Sequence, residues 1–491
     1  MKKLRWQLLI VVVALAAVGI LLLGQQPGVQ PLETRATPQP VTGGIYTEGL
    51  VGEPNRFNPI LDFFNPADRD IDRLLYSSLL RFDDRGIPIL DLAESRGISQ
   101  DGTVYNFSIR QNARWHDGEP VTTADLIFTI DLLRDPGMPV PDDLRELWGE
   151  VEVEALNEYL LQFRLPEPFA PFLDYLTFGV LPEHLLGGLT AGEIIDAPFN
   201  IQPVGSGPYQ FERFILEDER IIGVALTAFE DYYHDRAFID RVVFRYYPDS
   251  RTALSAYQEG DVMGINQITP DILAAALAEP ELNIYTGRLP ELTLVLLNLD
   301  NPEAPFFQEA KVRQALMQSL NRQRMIDRLL QGQAILANGP IFPGTWAYLE
   351  TDEIPEYDVE AAVGLLKEAG YTIPAEGGSV RAKEDVFLSF TLLHPVGEVY
   401  ERLAQTIQQS WAQIGVEVKL EAAPYDELLN DYLTPRDYHA ALVDLNLARS
   451  PDPDPYPFWH QAQIAGGQNY AKWDDRPASE VMQQQLLLAR G

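Results

Sequence analysis

The sequence predicts an α/β protein of two or three domains, and three observations carry that expectation. The chain has 491 residues, too many for one compact core. Its hydrophobic content of 46% is that of an ordinary globular protein. Residues 386 to 445 then read as strand, helix, strand, helix, strand. Phe387 to Leu393 is an apolar strand. Tyr400 to Ile414 is a helix with Leu403, Ile407 and Trp411 four residues apart on one face, and Gly415 stops it. Val416, Val418 and Leu420 alternate as a second strand, Tyr425 to Tyr432 is helical, and Ala440 to Leu445 is a third strand. This order predicts a parallel sheet with right-handed crossovers, and ligands of such sheets sit beyond the carboxyl ends of the strands.

Taken from the amino terminus, the first element is a membrane segment. Lys2, Lys3 and Arg5 precede an apolar run from Leu8 to Leu23. Gly24-Gln25-Gln26 is a poor cleavage site, so an uncleaved anchor is expected over a cleaved signal. Residues 25–42 hold Pro27, Pro31, Pro38 and Pro40 with no hydrophobic period, and read as a tether. At ~3.1 Å per residue it reaches about 50 Å.

In the middle of the chain, Val104 to Ile109 alternates as a half-buried strand between the turns Asp101-Gly102 and His116-Asp117-Gly118. Thr122 or Thr123 caps the helix that opens at Ala124-Asp125. Pro203 to Phe211 imposes a tight backbone path through two glycines and two prolines. Val242 to Tyr246 is a strand. Ser250 is expected to cap a helix containing Ala253, Leu254 and Tyr257, which Glu259-Gly260-Asp261 ends. After the strand Leu294 to Asn298, a long helix is expected from Lys311 to Leu330, with Val312, Ala315, Leu316, Ser319, Ile326 and Leu330 on one face. Its Arg322, Arg324 and Arg328 read as solvated helix-face charges rather than an anion site.

Composition excludes several functions. The formal net charge is −35, from 72 acidic and 37 basic residues, which repels phosphate backbones and argues against nucleic-acid binding. There is no cysteine, hence no disulfide, thiolate metal site or cysteine nucleophile. The six histidines form no H-x-x-x-H or H-E-x-x-H pattern, so a protein-built metal site is not expected. Neither G-x-S-x-G nor a P-loop occurs. Acid pairs such as Asp117 with Glu119, or Asp452 with Asp454, would suit a secreted glycosidase-type hydrolase, but among 72 acids such pairs arise by accident.

Residues 92 to 135, LAESRGISQDGTVYNFSIRQNARWHDGEPVTTADLIFTIDLLRD, resemble the extracellular solute-binding proteins of the peptide/nickel (oligopeptide/dipeptide-binding) class of ABC importers. GGIYTEGLVGEPNRFNPILDFF, PVGSGPYQF, AFEDYYHDRAFIDRVVFRYYPDSRTALSAYQEGDV and KVRQALMQSLNRQRMIDRLLQG extend the resemblance in the same order. It implies an α/β, two-lobed periplasmic-binding-protein-like fold (class II type) with an extra inserted subdomain in lobe one. The implied division is 1–24 anchor or signal, 25–42 tether, 43–56 lobe one, 57–200 inserted subdomain, 201–290 lobe one again, 291–475 lobe two, and 476–491 a return to lobe one that reads as cut short.

The resemblance also implies the site. Phe57 and Asn58 fall in the loop after the first strand, where relatives face the ligand. Trp346 lies in PIFPGTWAY, which borders the cleft; burying a tryptophan's ~150–250 Å² is worth at most ~4–6 kcal/mol. Tyr470 belongs to an N-Y pair after the D-P segment. Peptide-binding relatives carry W-x-x-D shortly before a D-P-D-like segment, and their aspartate pairs with the ligand's ammonium. Aligned on Asp452-Pro453-Asp454, those two positions are Asn446 and Arg449. An ammonium ~4 Å from Arg449 would be repelled by about 4 kcal/mol at an effective dielectric of ~20, a thousandfold in affinity. Either the ligand lacks that amine, or Asp444, Asp452 or Asp454 takes over the aspartate's role.

The expected function is therefore the extracytoplasmic substrate-binding component of an ABC importer. It would close two lobes on a small peptide or similar polar solute and pass it to the permease subunits. It would need no catalysis and no cofactor, act as a monomer, and be held at the outer face of the membrane by its amino-terminal segment. A ligand sensor of the same fold, uncoupled from transport, is the alternative.

Overall fold

The computed structural model describes residues 40–491 apart from 290, 342, 344–347, 349–354, 447–455, 475–479, 482–483 and 486–491. The chain divides into Met1–Gly43, of which only 40–43 are described, and a compact unit Gly44–Gly491.

Strand β1 (Ile45–Val51) opens the compact unit. Helix α1 (Pro66–Leu75) follows; Pro66 sits at its first position and Asn65 caps it, accepting the Ala67 and Asp68 N–H groups. A small ribbon pairs β2 (Leu80–Phe82) with β3 (Pro88–Leu90). Next come β4 (Ala93–Ile98), β5 (Val104–Ile109), α2 (Thr123–Arg134), α3 (Asp142–Glu150), β6 (Glu152–Asn157) and β7 (Leu160–Arg164). These four strands form an antiparallel sheet in the order β4-β5-β7-β6. The alternation predicted for β5 is observed, with Tyr105, Phe107 and Ile109 buried. Trp148, Phe163 and Phe172 pack there with ring centroids 5.4 to 6.2 Å apart. Thr122, not Thr123, is the cap of α2 and forms a capping box with Asp125.

The chain then returns through β8 (Tyr209–Glu217), β9 (Arg220–Ala228), β10 (Arg241–Tyr247), α4 (Ser250–Glu259) and β11 (Gly264–Ile265). With β1 they make a five-stranded sheet, β11-β1-β10-β9-β8, in which β1 runs parallel to both β10 and β11. One hydrophobic core runs from Leu50 through Phe107 to Phe244 and joins both sheets. Ser250 is not the cap of α4. The preceding Asp249 is extended, and its carboxylate reaches the Thr252 N–H at 2.7 Å. Gly260, left-handed at φ 80°, ends the helix as predicted.

Two of the sequence signatures interlock here. A Cβ on Gly205 would lie 1.8 Å from the Leu75 carbonyl oxygen, so no larger residue fits. The freed space lets His116 reach across: its Nδ1 accepts the Gly205 N–H at 3.1 Å and its Nε2 donates to the Gly207 carbonyl at 3.1 Å. Burial lowers the His116 pKa to about 4, so the ring is neutral and serves as a brace.

The second half contains β12 (Glu291–Leu297), α5 (Ala310–Gln318), α6 (Arg322–Leu329), α7 (Val359–Glu368), the short ribbon β13 (Ala382–Lys383) and β14 (Val386–Phe387), β15 (Ser389–Pro395), α8 (Glu398–Gln413), β16 (Glu417–Ala423) and β17 (Ala440–Asn446). Its sheet has the order β12-β17-β15-β16. Strand β15 is parallel to β16 and β17, as predicted, and β12 closes the edge antiparallel. Its cores are separate from that of the first half. Gly415, at φ 83°, follows α8 as predicted. Two expectations differ. Phe387 belongs to the ribbon, and the strand itself starts at Ser389. The helix expected over Lys311 to Leu330 is broken: Asn321 leaves helical geometry and caps α6 by accepting the Arg324 N–H at 2.9 Å.

Candidate functional site

The parallel strands of each half share one side as their carboxyl ends, which is where such folds place ligands. In the second half these ends are Pro395, Ala423 and Asn446. Strand β17 enters its ladder with β12 so that Asp444 lies opposite Thr293 and Asn446 opposite Glu291. All four alternate onto one face. Asp444 is the hub. Its Oδ1 accepts the Thr293 hydroxyl at 2.6 Å, its Oδ2 accepts the Tyr400 hydroxyl of α8, and its carbonyl accepts the Tyr425 hydroxyl at 2.6 Å. Asn446 donates to Glu291 Oε2 at 3.0 Å.

Electrostatics keep the phenols of this cluster protonated. Burial raises the Glu291 pKa, and the Asp444 charge raises it further. Burial and then Asp444 push the Tyr400 and Tyr425 hydroxyls up as well, so both remain donors. Among the described residues neither Asp444 nor Glu291 is in an ion pair. Apolar surface stands beside the charge, with Val396, Val399 and Tyr425 exposed at the same strand ends.

In the first half, the ends of β1 and β10 border a depression of about 390 Å³ lined by Val51, Pro248, Arg251, Gln267 and Asp271 among others. Arg251 pairs with Asp271 at 2.7 Å across its rim. The two halves meet beside it, where Gln331 donates to the Pro270 carbonyl at 2.9 Å.

The predicted site residues fare differently. Asn446 stands in the Asp444 cluster. Tyr470 adjoins it: its phenol acts electrostatically on Tyr425, and the Arg436 guanidinium lies 5.1 Å from its ring. Phe57 and Asn58 do not face a cleft. Phe57 is 2% exposed and stacks on Phe214 at 5.8 Å, and fully buried Asn58 donates to Asn200 at 3.0 Å. The loop's polar groups are turned inward because its backbone is tied down, the Phe57 N–H to the Asn200 carbonyl at 2.8 Å. Trp346, Arg449 and Asp454 lie outside the described residues. Sequence reading passed over Glu291, Thr293, Tyr400 and Tyr425. The only local signal was a polar residue at alternate positions where the apolar run of β17 ends, Asp444 and Asn446.

Among the described residues there is no group of three or more His, Asp or Glu side chains that could hold a metal ion, and no helix is long and apolar enough to cross a membrane.

The sequence model described as bacterial extracellular solute-binding proteins, family 5 Middle, matches residues 88–466. The chain belongs to this family. Its match to family 5 covers the Asp444 cluster apart from Tyr470. The oligopeptide-binding protein AppA of Bacillus subtilis (strain 168) is 29% identical over 457 residues, covering 90% of this chain and 81% of that protein. The dipeptide-binding protein of Escherichia coli (strain K12) is 26% identical over 466 residues, covering 88% and 82%. Among solved structures, AppA from Bacillus subtilis in complex with a nonapeptide superposes with a TM-score of 0.64 at 28% identity, covering 91% of this chain and 87% of that one. NikZ from Campylobacter jejuni in complex with Ni(L-His) gives 0.65 at 25% identity, covering 90% and 86%. This family 5 chain thus has the two-lobed fold of periplasmic binding proteins and an extracytoplasmic, solute-binding role.

Proposed function

We propose that this chain is the peptide receptor of an ABC importer. It takes an oligopeptide or similar extended solute between its lobes and hands it to the permease. The observation that carries the reading is the Asp444 cluster: a carboxylate at the carboxyl end of a parallel strand, oriented by the Thr293 and Tyr400 hydroxyls, with its backbone carbonyl held by Tyr425 and Glu291 beside it. Such a group is built to receive a cation, and a peptide's ammonium or basic side chain supplies one. Asp444 thereby does what Arg449 at the aligned position could not. The exposed valines and Tyr425 offer sequence-tolerant apolar contact beside it.

The AppA and dipeptide-binding relatives support peptides as the solute. The acidic, cysteine-free composition suits an exported monomer, and the apolar run from Leu8 to Leu23 suits a membrane tether. Function rests on a shift between open and closed populations, with no bond made or broken.

The test is isothermal titration of the purified chain with a mixed peptide library, then with individual peptides, sugars and nickel–histidine. Micromolar or tighter binding of peptides with release of unchanged ligand is expected. Hydrolysis of any bound peptide, or tight binding of a sugar but no peptide, would overturn the reading.

A further inference from the structure

Helix α1 carries Asp68 and Asp72 one turn apart on its buried face, and Asp62 lies in the loop before it. Their exposures are 1%, 3% and 7%. Asp68 is well supplied with donors: the backbone N–H groups of Asn55 and Arg56, at 3.0 and 2.8 Å, and the Asn65 amide at 2.8 Å. Asp72 is not. Both of its carboxyl oxygens are buried without a well-formed hydrogen bond; the one backbone donor acting on them is the Asn58 N–H. The groups that face it cannot compensate for its charge. They are the Asp62 and Asp68 carboxyls, the Asn58 N–H, which is given to the Arg56 carbonyl at 3.1 Å, and the Tyr76 hydroxyl, which is given to the Phe57 carbonyl at 3.0 Å. From β10, the Tyr246 hydroxyl is also buried without a partner. Arg69 and Arg73 act on Asp62, and Arg56 acts on Asp68. No metal-holding group of side chains lies here or elsewhere among the described residues.

A buried carboxylate without a well-formed hydrogen bond, beside two other carboxyls, takes a proton instead. We propose that the Asp72 carboxyl is a proton-operated latch: protonated, it seats α1 against the five-stranded sheet at β8 and leaves Asp68 free to hold the loop 53–65 that follows β1. Burial, then Asp62 and Asp68, raise Asp72 well above the usual carboxylate range, and burial brings Asp62 to about 7. The sign follows from these raised values. The latch is fully engaged below the ordinary carboxyl pKa of ~3.9 and weakens as pH rises to the folded-state value. Opening 53–76 exposes Asp72 to water, where it ionises. Each opening then releases one proton, and the opening equilibrium rises about tenfold per pH unit across that window. Asp62 adds a second proton, up to about pH 7.

The experiment is hydrogen exchange of the full chain between pH 5.5 and 8.5, followed in peptides covering 53–76 and corrected for intrinsic exchange rates. In the wild type, protection should fall about tenfold per pH unit for as long as Asp72 stays protonated in the closed segment, and more steeply below about pH 7, where Asp62 adds its proton. In Asp72→Asn the slope above pH 7 should vanish, with at least tenfold greater protection than wild type at pH 8. Asp62→Asn should remove only the component below pH 7. An Asp72→Asn protein that keeps the wild-type slope, or that is less protected than wild type at every pH, overturns the proposal.

Discussion

Replacing Asp444 with Asn removes one charge and leaves the shape of the cluster. The amide oxygen still accepts from Thr293, and the Tyr400 hydroxyl turns to accept from the amide nitrogen, so β17 and α8 stay in place. An ammonium at ~4 Å from the carboxylate gains about 4 kcal/mol at an effective dielectric of ~20. Asp444 is only half-buried, and a charged hydrogen bond in such a place is worth roughly 1.5–3 kcal/mol net. The substitution should therefore weaken a free-amino peptide about 10- to 150-fold. The assay is a thermodynamic cycle by titration calorimetry: wild type and Asp444→Asn, each against a peptide and its N-acetylated form, and against a Lys-containing peptide and its acetyl-lysine form. One pair should show a coupling of roughly 1.5 kcal/mol or more. Zero coupling in both pairs, with peptide binding retained, would refute Asp444 as the cation receiver. Glu291 gives a second handle. Its pKa is raised, so its charge is lost at a higher pH than for an ordinary glutamate, and affinity for a cationic ligand should begin to fall as pH drops toward that value.

Other consequences follow from the frame around the site. Gly205→Ala would drive a methyl into the Leu75 carbonyl and dislodge His116; a loss of about 3 kcal/mol or more, or failure to fold, is expected by thermal melting. Trp411→Ala empties a buried site and frees the Leu316 carbonyl that Nε1 now engages at 2.9 Å, costing about 3–5 kcal/mol by denaturant titration. His116 is held neutral with a pKa near 4, so it contributes stability above its ordinary value of ~6.5 that is lost as pH falls toward 4, about 3 kcal/mol in all. His116→Gln should flatten the pH dependence of the melting temperature in that window. Gln331→Ala removes the bond to Pro270 between the halves and should favour the open form by roughly 0.5–1.5 kcal/mol, read as a larger radius of gyration in X-ray scattering.

Much of the architecture was legible in the sequence because its cause is local. The alternation of Val104 to Ile109, the Leu403-Ile407-Trp411 stripe and the glycines at 260 and 415 each express a period or a backbone angle set by neighbouring residues. Local signals also misled where two residues competed. Asp249 outreached Ser250 for the same cap, and Asn321 broke a helix whose apolar stripe ran on past it. The site was less legible. Asn446 and Tyr470 came from resemblance and do fall beside Asp444, but Phe57 and Asn58 turned inward once Asn200, more than 140 residues away in the chain, bonded to them.

By itself the sequence determined the α/β character, the parallel order of β15, β16 and β17, the surplus of negative charge and the family. The first three follow from composition or from patterns within some sixty residues, and the family from several such segments in a fixed order. Only the tertiary structure decided which carboxylates matter. Asp444 meets Thr293 across a strand pair 151 residues apart and Tyr400 from a helix 44 residues back, while both Asp72 carboxyl oxygens are buried without a well-formed hydrogen bond. Burial and hydrogen-bond supply are properties of packed neighbours, so one acid among 72 is distinguished only when the chain has folded around it.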